Sequence, residues 1–332
     1  MRARSAALPA ALAVGAAAAW PFVEPHLPVL RSARVPVLPP GTGPLRVLHV
    51  SDLHLLPRHA RRSEWVQGLA ALQPDFVVST GDHLSSARSV PLLARTLGAL
   101  TADGTPGVFV PGNNDYHSPV RPNLLGYLRG GPPRPRRPDL PWDDAAQALV
   151  DVGWTDLTHV RTRLDVRGVP LLLVGTDDAH LGRDRYPTVR GAVPRDMVGV
   201  AVTHTPMRSL LDALAGDGHR LLLAGHTHGG QLRLPVAGAL VTNCDLPRSR
   251  ARGLSRWGDG DTAGGTASGN AGGTDRDRAS DKDGDTDGGT AAWLHVSAGL
   301  GQSPYLPVRL LCRPEATLLE LVAGSGSLAG GR

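Results

Sequence analysis

Five short apolar runs in this chain break off at the same kinds of residue. "LRVLHV" (45–50) leads into Ser51-Asp52-Leu53-His54, "DFVVST" (75–80) into Gly81-Asp82-His83, and "GVFVP" (107–111) into Gly112-Asn113-Asn114-Asp115. "MVGVAVT" (197–203) leads into His204, and "RLLLA" (220–224) into Gly225-His226-Thr227-His228-Gly229-Gly230. Runs this short, rich in Val and Leu, predict strands buried on both faces. Helix-length segments lie between several of them, at 63–72, 90–100 and 207–215. Strands that alternate with helices predict parallel pairing through crossovers, an α/β fold. Ligands of open α/β sheets bind beyond the carboxyl ends of the strands. The five loops should therefore converge on one edge. A lone Asp-x-His or a lone buried histidine is usually a core residue, but core packing does not account for five such ends in register.

The side chains so collected are Asp52, His54, Asp82, Asn113, His204, His226 and His228. They combine hard oxygen with imidazole and include no thiolate. That mixture suits Mn, Fe or Zn and argues against calcium cages and copper–thiolate sites. Seven donors exceed the needs of one ion, whereas two divalent ions sharing a bridging carboxylate would use them all. Two ions held ~3.5–4 Å apart can activate a water and steady a phosphoryl group in line with it.

The series DLH, GDH, GNND, H and GHTHGGQ resembles the calcineurin-like metallophosphoesterase superfamily over roughly residues 45–322. "GHTHGGQLRLP" and the closing "SAGLG…PVRLLCRPEATLLEL" resemble its bacterial membrane-associated phosphodiesterase branch, which includes UDP-2,3-diacylglucosamine pyrophosphatase-like enzymes. The resemblance implies a four-layer α-β-β-α sandwich with the site on one rim. It implies hydrolysis of a phosphomonoester, phosphodiester or pyrophosphate bond by a metal-bound hydroxide. It assigns Asp52, His54 and His228 to one metal, Asp82 to the bridge, and Asn113, His204 and His226 to the other. A cyclic-nucleotide phosphodiesterase and a non-catalytic binding scaffold on the same fold are the alternatives. A scaffold should lose ligands, and here every ligand position is filled.

The chain departs from the family pattern at Asn114, where histidine is usual. An amide donates hydrogen bonds but supplies no proton near neutral pH, and loss of general acid catalysis costs about 10²–10⁴-fold, mostly on poor leaving groups. The expected bias is toward diesters or pyrophosphates with good leaving groups. His117 and His83 are the candidates to replace the lost donor. Asp177 and Asp178, after the strand-like "LLLVG", either line the rim or end a polar loop.

Outside the core, residues 5–23 form an uncharged, alanine-rich run preceded by Arg2 and Arg4. About 20 such residues cross a bilayer, so residues 1–24 read as an anchor, or as a signal segment cut near the small residues 16–19. A proline-bearing linker (25–44) leads to the catalytic domain (45–322). Residues 130–141, rich in Pro and Arg, read as a surface loop. The stretch 258–290 has no apolar residue larger than alanine and reads as a disordered insert. A calcium loop starting at Asp283 would need glutamate where Leu294 stands. The tail 323–332 reads as flexible. The net charge is only +5, and its arginines are scattered, which argues against nucleic acid. The expected partner is a phosphate ester, lipid- or nucleotide-linked, met at a membrane. Cys244 and Cys312 are the only cysteines and form no zinc motif.

Overall fold

The computed structural model describes residues 15, 18–119, 125, 137–258, 291–303 and 306–324. The strands, in chain order, are β1 (Val29–Leu38), β2 (Leu45–Val50), β3 (Phe76–Ser79), β4 (Gly107–Phe109), β5 (Trp154–Asp156), β6 (Val160–Val166) and β7 (Val169–Gly175). They continue with β8 (Val198–Val202), β9 (Leu221–Ala224), β10 (Arg233–Leu234), β11 (Gly238–Ala239), β12 (Gly253–Trp257), β13 (Ala292–Val296) and β14 (Glu315–Ala323). Four helices matter to the packing: α1 (Ala60–Gln67), α2 (Val90–Gly98), α3 (Trp142–Asp151) and α4 (Arg208–Gly216).

Two six-stranded sheets form, in the orders β1-β14-β2-β3-β4-β5 and β12-β13-β9-β8-β7-β6. The five ligand-bearing strands divide between them, with β2, β3 and β4 parallel in the first sheet and β8 and β9 parallel in the second. Strands with both faces covered carry apolar side chains on both, as their unbroken runs require. On the inner faces Val47, Phe76 and Val108 meet Leu171, Val200 and Leu223. Outside the first sheet, Leu48, Val77 and Phe109 pack on Val66, Leu93, Leu97 and Leu149 of α1, α2 and α3. Outside the second, Ala201 and Leu222 pack on Leu210, Leu211 and Leu214 of α4. The layers therefore run α-β-β-α.

Two features go beyond the sequence reading. The proline-bearing stretch taken as a linker is extended, and β1 within it is a strand of the first sheet, parallel to β14. It tolerates Pro36 because it is an edge strand, and the register shifts between Pro36 and Leu38. The final strand, β14, lies between β1 and β2 and runs antiparallel to β2. Most of the apolar run 5–23, the insert from residue 259 to 290, residues 130–136 of the Pro/Arg loop and the tail from residue 325 lie outside the described residues. Among the described residues, no helix is long and apolar enough to cross a membrane.

Candidate metal centre

All seven expected side chains meet at one rim, where strands of the two sheets end side by side. The loops after β2 and β3 run alongside each other, with Asp52 N donating to Gly81 O and His54 N to Asp82 O, both at 2.9 Å. From the second sheet, Gly225 N donates to His204 O at 2.9 Å. Close approach depends on missing side chains. A Cβ at Gly225 would fall on Ser51 Oγ and lie 2.6 Å from Asp52 Oδ2, and one at Gly112 would overlap the Asp82 carboxylate. Five of the seven positions hold left-handed backbone, with φ of 51° at Asp52, 44° at His54, 54° at Asp82, 70° at His226 and 49° at His228. Side chains other than glycine tolerate this region at a cost of about 1–3 kcal/mol each, and such strain clusters at functional sites.

The donors form two groups that share Asp82. In the first, His54 Nε2 lies 3.2 Å from His228 Nε2 and 3.3 Å from Asp82 Oδ2, and His228 Nε2 lies 3.5 Å from Asp52 Oδ1. One ligand atom from each of Asp52, His54, Asp82 and His228 falls within 4.8 Å of all the others, and all four residues are buried. In the second, Asn113 Oδ1 lies 3.2 Å from His204 Nε2 and 3.1 Å from His226 Nδ1, and His204 Nε2 is 3.4 Å from Asp82 Oδ1. The far nitrogens fix the tautomers: His204 Nδ1 faces Thr80 O at 2.6 Å and His226 Nε2 faces Asn243 O at 3.3 Å, so both donate there. His226 Nδ1 is then a lone pair aimed at the Asn113 carbonyl oxygen. Two acceptors at 3.1 Å with no proton between them are what a cation resolves.

Electrostatics point the same way. Burial pushes His54 down to about 4 and holds His226 and His228 well below their ordinary value, so all three are neutral at pH 7 and their lone pairs are available. Burial would raise Asp82, but His204, His54 and the bond from Asn114 outweigh it and keep this carboxyl well below the usual range. Burial does raise Asp52, to about 7, against the pull of His204 and the bond from Ser51. Burial alone would lower His204, yet the surrounding carboxylates Asp82, Asp52 and Asp178 carry it well above its ordinary value. A proton on His204 thus stands where positive charge is wanted. Buried carboxylates beside neutral imidazoles fit divalent ions well.

Further residues hold this arrangement in place. Asn114 donates to Asp82 twice, from its backbone N to Oδ1 at 2.7 Å and from Nδ2 to Oδ2 at 2.8 Å. Its amide therefore turns inward onto the shared carboxylate. His83 is not a replacement donor: it is fully buried, stacks on Trp142, and binds Asp115 Oδ2 at 2.9 Å and Ser79 Oγ at 2.8 Å. Asp115 also accepts from the backbone N of Gly112, His83 and Leu84, which staples the third loop to the second. His117 is half-buried just past this turn.

Asp178 does reach the rim. It is buried, accepts from Thr205 Oγ1 at 2.5 Å and from Leu181 N at 2.8 Å, and so fixes the turn that carries His180. Asp177 accepts from Tyr116 Oη at 2.9 Å and from Arg183 Nε at 2.8 Å. The His180 ring lies 5.0 Å from that of His226. Sequence reasoning passed over His180, Ser51, whose Oγ donates to Asp52 Oδ2 at 2.5 Å, and Arg309. Fully buried, Arg309 places its Nη2 3.4 Å from His228 Nδ1 and donates to Ala298 O at 2.7 Å and Gly299 O at 3.1 Å.

A four-layer α/β sandwich with this cluster on its rim defines a protein that binds divalent metal through oxygen and imidazole. The chain belongs to the calcineurin-like phosphoesterase family, whose pattern matches residues 45–230. It is 30% identical over 212 residues to a transmembrane protein with metallophosphoesterase domain from Bos taurus, a match covering 62% of this chain and 45% of the cattle protein. It is 29% identical over 216 residues to the uncharacterized metallophosphoesterase YkoQ of Bacillus subtilis (strain 168), covering 63% and 70%. The match to phosphodiesterase YaeI of Escherichia coli (strain K12) is 24% identical over 307 residues and covers 91% of each chain. This chain thus spans less than half the length of the cattle relative and nearly all of the Escherichia coli one.

Proposed function

We propose that this chain is a metal-dependent phosphoesterase that cleaves a phosphodiester or pyrophosphate bond. The observation that carries the reading is the pair of buried donor groups sharing the Asp82 carboxylate. Asp52, His54 and His228 would hold one divalent ion, Asn113, His204 and His226 a second, and Asp82 both; Mn, Fe or Zn suits the donors. Bound ions supply an activated water and charge neutralisation at the phosphoryl group.

The chain's own residues set the geometry. Ser51 orients Asp52, and Asn114 locks both oxygens of Asp82. With an amide at 114 and His83 buried, protonation of the leaving oxygen falls to His117, to His180 or to water. Good leaving groups are therefore favoured. The description of the Escherichia coli relative as a phosphodiesterase supports the diester reading. The uncharged run at 5–23, with the cattle relative described as a transmembrane protein, supports a membrane-held enzyme with a lipid- or nucleotide-linked substrate.

The test is a hydrolysis screen of bis-p-nitrophenyl phosphate, alkyl phosphomonoesters and nucleotide-diphosphate lipids with added Mn²⁺, with Asp82→Ala as the blank. Metal-dependent diester cleavage that Asp82→Ala abolishes is expected. A purified protein that retains no Mn, Fe or Zn and is inert on every substrate would instead be a binding scaffold.

A further inference from the structure

The helical residues 18–23 carry exposed apolar side chains that the catalytic reading does not use. Trp20, Phe22 and Val23 are 42%, 63% and 44% exposed, and they close the uncharged run of residues 5–23. The segment is pinned there. Glu24 is buried, takes the Trp20 indole N–H at 2.9 Å, and accepts from the backbone N of Leu311 at 2.9 Å and of Cys312 at 2.5 Å. Arg309 N donates to Pro21 O at 3.0 Å.

Leu311 is itself 49% exposed. Its neighbour Leu310 bridges to Leu232, which leads into the β10–β11 hairpin. That hairpin presents Leu234, 45% exposed, and at its tip Val236, which is fully exposed. Its base is tied to the metal loop through Arg233 Nη1, which donates to Gly229 O at 2.9 Å, one residue beyond His228. Exposed Arg313, bonded to Leu27 O at 2.7 Å, and exposed Arg248, reaching Leu240 O at 3.3 Å, flank the face.

A fully exposed valine at a hairpin tip and a half-exposed tryptophan whose N–H is satisfied leave apolar surface beside the exposed arginines. Tryptophan and arginine at the border of an apolar surface suit a lipid headgroup layer. We propose that this face, formed by Trp20, Phe22, Leu311, Leu234 and Val236, rests in the interfacial layer of an anionic bilayer. The metal centre is thereby held beside the headgroups. The occupant follows from continuity, because the apolar run of residues 5–23 ends on this face. The proposal extends the membrane reading above and is independent of the catalytic one.

The test uses the full chain with Cys244→Ser and an environment-sensitive dye on Val236→Cys; Cys312 is buried. A second sample carries the dye on Ala102→Cys, an exposed turn at the opposite ends of the strands. Vesicles of equal parts phosphatidylglycerol and phosphatidylcholine, with and without nitroxide-bearing lipid, are added, and flotation is measured on the same samples. Floating protein with a blue-shifted, nitroxide-quenched dye at 236 and an unchanged dye at 102 is the expected result. Floating protein with a water-like dye at 236 leaves the anchor and removes the face. Protein that does not float overturns both. Light scattering that shows a dimer with the dye at 236 buried and unquenched assigns the face to a second copy and also overturns the proposal. Mn²⁺-dependent hydrolysis of bis-p-nitrophenyl phosphate by these variants is a separate readout, so failure of the catalytic reading is seen independently.

Discussion

Removing a ligand should stabilise the metal-free protein. Asp52 is fully buried, and burial raises its carboxyl from 3.8 to about 7. At about 1.36 kcal/mol per pKa unit, that rise corresponds to roughly 4 kcal/mol. The sign follows from proton linkage. A carboxyl whose folded pKa is raised contributes stability that is fully present below 3.8 and lost as pH rises through 7. Asp52→Asn keeps the shape and removes the charge. With its oxygen in the place of Oδ2 the amide keeps the bonds from Ser51 Oγ and His226 N, but its NH₂ then stands where Oδ1 accepted from the same N–H at 3.2 Å, at a cost of about 1–2 kcal/mol. The net expectation at pH 8 without metal is a gain of roughly 2 kcal/mol, or about 5 °C in melting temperature. At pH 4 to 5 the two proteins should melt together, since the part of the penalty developed by then, about 1–2 kcal/mol, only offsets the cost of the amide. Thermal melts of chelator-treated wild type and Asp52→Asn across this range provide the assay. Added Mn²⁺ should reverse the order, raising wild type well above the variant. A metal-free variant no more stable than wild type at pH 8 would refute the reasoning, because Asp52 would then not be a buried charge awaiting a cation.

Three further outcomes follow from the loops around the site. Asn114→Ala keeps the backbone bond to Asp82 but loses the one from Nδ2; metal affinity, read by titration with elemental analysis, should fall by about 10–100-fold, and Asn114→His should raise the rate on alkyl phosphates more than on aryl phosphates. Gly225→Ala would drive a Cβ into Ser51 Oγ and against Asp52; the variant should lose the metal and melt at least several degrees lower, and a wild-type melt would show that the loops are looser than their packing implies.

The metal loops were legible because each is local: an apolar run, a turn residue and a ligand lie within a few positions. What needed the structure was non-local. β14 between β1 and β2 joins segments nearly 300 residues apart, and no local pattern announces it. β1 was obscured by Pro36, which an edge strand accommodates. Arg309 reads as a surface charge until the carbonyls of Ala298 and Gly299 close around it. His180 has no ligand spacing to mark it and reaches the site only because Asp178 and Thr205 hold its turn. Asn114 was visible as a departure, but its hold on Asp82 is a matter of rotamer and loop direction.

The place of β14 also sets a timetable for folding. During synthesis β1 leaves the ribosome early, yet among the described residues its only strand neighbour is β14, which is made last among these strands. Until then β2 also lacks a partner on that side, and two apolar strand edges stand open while the second sheet is being completed. Pairings this distant in sequence form slowly and leave such edges exposed to misassembly. A nascent chain truncated before Glu315 would carry every metal ligand and still fail to close its first sheet, so quality control would see an unpaired edge where the amino-acid composition of the site is already whole.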